Sequence, residues 1–197
     1  MTSPSNGGII TPNYKFTEDT SQKFRTAFTI QYNKAVDIFG EINTINTVGV
    51  LYTNRLSEVY GEYDDNTRII KIRNADRNDF IATMTEICKS HKESGQWSTY
   101  NARHTIRHEI GHAIFLQHER NDPDWFQKKQ KLYSLFDMYK VSNQEVSNQM
   151  RKDTLSIYGF DSTEEMVSEC IAEFLEKNPR DFAKRVVNII LKGEDTT

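Results

Sequence analysis

Five consecutive residues, His108-Glu109-Ile110-Gly111-His112, have the types and the spacing of a hydrolytic metal site. On an α-helix, positions 108 and 112 lie about one turn apart on the same face, so both imidazoles can converge on one ion. Glu109 then falls on the flank, close to the metal without binding it. A base must stand there to take a proton from metal-activated water. A tetrahedral catalytic zinc takes three protein ligands and keeps its fourth position open, so a third ligand must come from elsewhere in the chain.

The sequence offers two sources for that ligand. His118, six residues beyond His112, gives H-E-x-x-H-x-x-F-x-x-H. This is similar to the metzincin pattern, except that Phe115 stands where that pattern has glycine. A glycine lets the chain leave the helix and swing the third histidine back. With Phe115 the helix continues and carries His118 away from the His112 face, as a solvated histidine near a helix C-terminus. The other source is the series Glu165, Glu169 and Glu173, four residues apart, behind Ser162 and Thr163, which read as a helix cap. Like charges stacked at that spacing repel, and a cation between them would relieve the strain. A solvated acidic face would show the same pattern. Cys170, beside Glu169, faces elsewhere.

H-E-I-G-H, followed some fifty residues later by Tyr158-Gly159 and then Glu165-x-x-x-Glu169 with small and apolar residues between, resembles the gluzincin metallopeptidases of the anthrax lethal factor catalytic domain type and its phage-associated relatives. The resemblance covers roughly residues 50 to 180. It implies an α+β zincin-like domain with a small, mostly antiparallel sheet, an H-E-x-x-H helix and a following glutamate-bearing helix. It further implies Zn2+ held by His108, His112 and Glu165, with Glu109 as general base. Glu169 would support a histidine ligand from behind, and Tyr158 would stabilise the transition state. Ser168 and Cys170 replace alanines common in the family, and the stretch between His112 and Glu165 is long. A shift of one turn, with Glu169 as ligand and Glu173 behind it, stays open on the sequence. The implied activity is zinc-dependent endopeptidase cleavage of a protein or peptide substrate, with a phage origin and a virion or host protein as target. The rival readings are a catalytically silent, metal-stabilised module of a phage particle and a metzincin-like protease using His118.

The rest of the chain reads as a scaffold for such a site. Its 197 residues suffice for one domain, residues 14–197, behind a Ser-, Gly-, Pro- and Thr-rich arm over residues 1–13. A net charge of −3 gives no electrostatic drive toward nucleic acid or an anionic membrane. Two cysteines, Cys88 and Cys170, do not make a disulfide framework and fit a reducing compartment. Neither a signal peptide nor a transmembrane run is evident, which suits a host cytoplasm or a virion, and the sequence sets no oligomeric state.

The elements that would position the site follow from periodicity. Phe24, Ala27, Phe28, Tyr32, Ala35, Ile38 and Phe39 predict an amphipathic helix over about 17–40, ending at Gly40. Residues 47–52, 58–63 and 68–73 are strand-like, with Asp64-Asp65-Asn66 as a hairpin turn. One edge of the sheet would pair with extended substrate. A helix over about 79–91 breaks at Gly95. The active-site helix runs from about Thr99 to His118, capped by Ser98 or Thr99 and carrying Ile106, Ile110, Ala113, Ile114 and Phe115 as its apolar stripe. Residues 124–155 form a helix or helix pair, either a packing hairpin or a lid over the cleft, with 142–151 mobile. A last helix begins after Asn178-Pro179-Arg180.

Overall fold

The computed structural model describes residues 13–54, 58–139 and 144–196. The expected N-terminal arm, save Asn13, lies outside the described residues, as do residues 142 and 143 of the segment expected to be mobile. The architecture is mixed α+β: β1 (Lys15–Phe16), α1 (Gln22–Phe39), β2 (Thr47–Val50), β3 (Gly61–Asp64), β4 (Ile69–Ile72), α2 (Phe80–Ser94), α3 (His104–Asn121), α4 (Trp125–Asp137), α5 (Gln144–Thr154), a 3-10 turn (Tyr158–Phe160), α6 (Thr163–Phe174) and α7 (Asp181–Lys192).

The sheet order is β1-β2-β4-β3. β1 with β2 and β2 with β4 are parallel, and only β3 with β4 is antiparallel. The expectation of a mostly antiparallel sheet is therefore corrected. Parallel neighbours need a long crossover, and α1 supplies it between β1 and β2. Hydrophobic alternation marks strands but not their direction, so this was invisible in the sequence. The hairpin at 64–68 is present: Asp64 Oδ1 accepts from the Asn66 and Thr67 amides, and Arg68 takes a left-handed conformation before β4 begins. The hairpin leaves β3 at the edge of the sheet.

α1 starts at Gln22, later than expected, because Ser21 caps it by accepting from the Phe24 amide. Its face of Phe24, Ala27, Phe28, Tyr32 and Ala35 is buried, while Ile38 lies on the exposed side. α3 also starts later than expected, at His104. Two tight turns precede it instead: Thr99, one of the expected caps, accepts at Oγ1 from the Asn101 amide, and Asn101 Oδ1 accepts from the Arg103 amide. The apolar stripe was too narrow an expectation, for α3 is buried almost all round, including Arg107, His108 and Glu109. A helix of that kind runs through the middle of the molecule. Arg107 is kept satisfied there by Gln31 of α1 and by Glu176 just beyond α6.

α6 lies against α3, and a β-carbon at Gly111 would stand 2.8 Å from the Ser168 Cα. The missing side chain at Gly111 is what lets the two helices approach so closely. α7 closes the layer with Phe182, Ala183, Val186, Val187, Ile189 and Ile190 buried. Of the 124–155 region, α4 buries Trp125, Leu132, Leu135 and Phe136 in the core, so this part packs as a hairpin does. Among the described residues no helix is long and apolar enough to cross a membrane.

Candidate metal centre

The close approach of α3 and α6 brings three electron-rich atoms together. His108 Nε2 lies 3.1 Å from His112 Nε2 and 2.9 Å from Glu165 Oε2, and His112 Nε2 lies 3.5 Å from the same oxygen. α6 is oriented for this by Ser162, whose hydroxyl accepts from the Glu165 amide. Donor atoms bound to one tetrahedral ion at about 2.0–2.1 Å stand roughly 3.3 Å apart, so the three edges match one face of such a tetrahedron.

The hydrogen bonding tests whether these residues fit a cation. Glu165 Oε2 is buried and makes no hydrogen bond of acceptable geometry, although two ring nitrogens face it. Behind His108 the opposite holds. Glu169 Oε1 takes His104 Nε2 at 2.7 Å and His108 Nδ1 at 3.1 Å, while Oε2 takes the Ser98 amide at 2.8 Å and the Ser156 hydroxyl at 3.0 Å. Four donors fill the accepting capacity of one carboxylate. The His108 Nδ1 proton is thereby committed to Glu169, which turns Nε2 toward Glu165 and His112. Two ring nitrogens and a buried oxygen without a hydrogen bond, facing one another at this spacing, fit a cation. His104, His108 and Glu169 also lie close enough to form a ligand triangle, but hydrogen bonds already satisfy it.

Titration follows the same geometry. Burial opposes a charge on His108, but the Glu165 and Glu169 carboxylates beside it outweigh that and push its pKa up to about 10. Burial would raise the Glu165 pKa as well, yet the two histidines hold it well below the usual carboxylate range. Glu109 is buried beside them, and burial raises its pKa, partly offset by His108 and His112. The Tyr158 phenol is pushed well up by burial and by the neighbouring Glu165, so it keeps its proton, and its ring lies 5.6 Å from that of His108.

A trough crosses the centre. One cavity of about 250 Å³ is walled by Val59, Tyr60, Trp97 and Thr105, and a second of about 340 Å³ by Tyr63, Phe115, Glu119 and Glu164. Gly61, Glu109 and Tyr158 line both, so the edge strand β3 runs along the trough.

The structure thus brings His108, Glu109, His112, Tyr158, Glu165 and Glu169 into one place. His118 is elsewhere. Its Nδ1 lies 3.1 Å from Asp122 Oδ2 and its ring stacks on Trp125, because α3 continues through Phe115. For the one-turn shift, the Glu169 carboxylate lies against His108 Nδ1, on the opposite side of the ring from Glu165, and Glu173 is paired with Arg180. Cys88 and Cys170 are free and buried, and neither joins the ligand groups. Sequence reasoning missed His104, which holds Glu169 from the far side. The signal was there, one turn before His108 on the same helix face. No family model matches the chain, and no curated protein or solved structure matches it either.

Proposed function

We propose that this chain is a zinc-dependent endopeptidase of the gluzincin kind, with a zincin-like arrangement of its α+β elements. The observation that carries the reading is the buried Glu165 Oε2, left without a hydrogen bond 2.9 Å from His108 Nε2, with Glu109 at its side. His108, His112 and Glu165 would hold the ion. Zinc bound there would supply Lewis acidity, polarising a carbonyl and bringing water toward ionisation near neutral pH.

The protein's own groups do the rest. Extended substrate adds to the free edge of β3 and lies along the trough, which places one peptide carbonyl over the centre. Glu109 accepts the proton of the attacking water and passes it to the leaving amine. Its raised pKa brings it closer to the working pH, as that exchange requires. Tyr158, held protonated, donates a hydrogen bond to the carbonyl oxygen as negative charge develops. Glu169 fixes the tautomer of His108.

A silent metal-stabilised module needs neither a buried carboxylate on the flank nor a trough over the site, so both features favour the enzyme. A phage origin and a virion or host target rest on the resemblance of the two motifs alone. The test is Glu109→Gln, which should keep about one zinc per chain and lose peptide cleavage by about 10²–10⁴-fold. Cleavage by this variant at the rate of the unmodified protein would remove the mechanism.

A further inference from the structure

We infer that His104 is a positioning residue for the metal centre, acting on His108 through Glu169. The inference rests on the metal-centre reading above and goes one layer behind it. A carboxylate only accepts, so the 2.7 Å contact requires a proton on His104 Nε2 pointing at Glu169 Oε1. That is the same oxygen that receives His108 Nδ1.

Two features keep the His104 ring in this orientation. Thr99 Oγ1 already accepts from the Asn101 amide, so its own proton is free for His104 Nδ1, 3.4 Å away. Trp97 stacks on the ring at 4.9 Å and 23°, and is itself stacked by His91 at 4.3 Å. His104 is about 1% exposed, so no water replaces it. The other carboxylate oxygen is held by the Ser98 amide and by Ser156, whose hydroxyl accepts from the Gly159 amide and so directs its proton to Glu169.

The consequence is a line of hydrogen bonds that runs from the Asn101 amide through Thr99 and His104 to Glu169, where His108 donates to the same oxygen from the other side. Without the donor at 104, Oε1 loses its shorter bond and the carboxylate is free to turn. His108 then loses a fixed acceptor, and with it both the orientation of its ring and part of the basicity of Nε2. Leucine at 104 removes the donor, and glutamine keeps a donor at the position of Nε2.

The test is zinc affinity of the metal-free protein, measured against a competing chelator, with circular dichroism to follow the fold. His104→Leu should bind zinc about 10–100-fold more weakly than the unmodified protein, and His104→Gln within about threefold of it. In the Glu169→Gln background, adding His104→Leu should cost little more, because both changes act through one carboxylate. A purely structural role gives additive losses instead. Equal zinc binding by His104→Leu and the unmodified protein, or additivity with Glu169→Gln, overturns the inference. If His104→Leu does not fold, His104→Gln and His104→Asn decide. The shorter amide does not reach Glu169, so equal affinities of the two overturn it as well. Failure of the unmodified protein to bind zinc would count against the metal centre itself, a separate outcome.

Discussion

Gly61 of β3 lies directly over the carboxyl group of Glu109: a β-carbon at position 61 would stand 2.8 Å from Glu109 Cδ, with Oε1 closer still, and 2.7 Å from Thr105 Cγ2. The edge strand and the proposed base are therefore fitted to one another, and the fit depends on the absence of one carbon.

Gly61→Ala should separate chemistry from stability. The atoms in the way belong to side chains and not to backbone, so the fold can yield at a cost of about 1–3 kcal/mol, but the carboxylate must leave its place. Turnover should fall by at least about 10²-fold while zinc content stays unchanged. Steady-state kinetics alongside metal analysis checks this, and full turnover in the variant would detach Glu109 from the chemistry.

Gly111→Ala should do the reverse. Here the obstacle is the Ser168 backbone, with Cα at 2.8 Å and the carbonyl oxygen at 3.1 Å, so α3 and α6 must part. Overpacking of this kind costs about 1–3 kcal/mol, more than the roughly 1 kcal/mol that alanine returns in helix propensity. Thermal unfolding should show a lower Tm, and zinc affinity should fall because Glu165 moves away from the histidines. A variant with unchanged Tm and affinity would mean that the helix spacing does not set the site.

Acid sensitivity should be traceable to Asp122. Burial would raise its pKa, but its bonds to Lys128 and His118 outweigh that and lower it to about 2, against an ordinary value near 3.8. The sign follows: the unfolded chain takes up the proton first, so stability from this group is present above about pH 4 and lost as pH falls toward 2. Partial exposure keeps the contribution at roughly 1–2 kcal/mol. The Tm gap between the unmodified protein and Asp122→Asn should therefore narrow from pH 5 to pH 2. A gap that stays constant over that range would contradict the assignment.

The site was more legible in the sequence than the sheet was. Four-residue steps on α3 and α6 fix which side chains share a face, and Ser162 marks where α6 begins, so Glu165 and Glu169 could be placed before their partners were known. His104 escaped because its spacing from His108 equals that of His112, and only the position of Glu169 shows that it supports the centre from behind. Strand direction is not written in alternation: β1 and β2 are parallel because α1 crosses between them, a property of the whole path. α3 starts later than the sequence suggests because Thr99, one of the two residues expected to cap it, bonds instead to the Asn101 amide in a turn, and Asn101 makes a second turn before the helix begins.

The most direct measurement is zinc stoichiometry and affinity for the unmodified protein, Glu165→Ala and His118→Ala, titrated side by side. The expected result is about one zinc per chain for the unmodified protein and for His118→Ala, with affinity lost by about tenfold or more in Glu165→Ala. Zinc retained by Glu165→Ala and lost by His118→Ala would contradict the account.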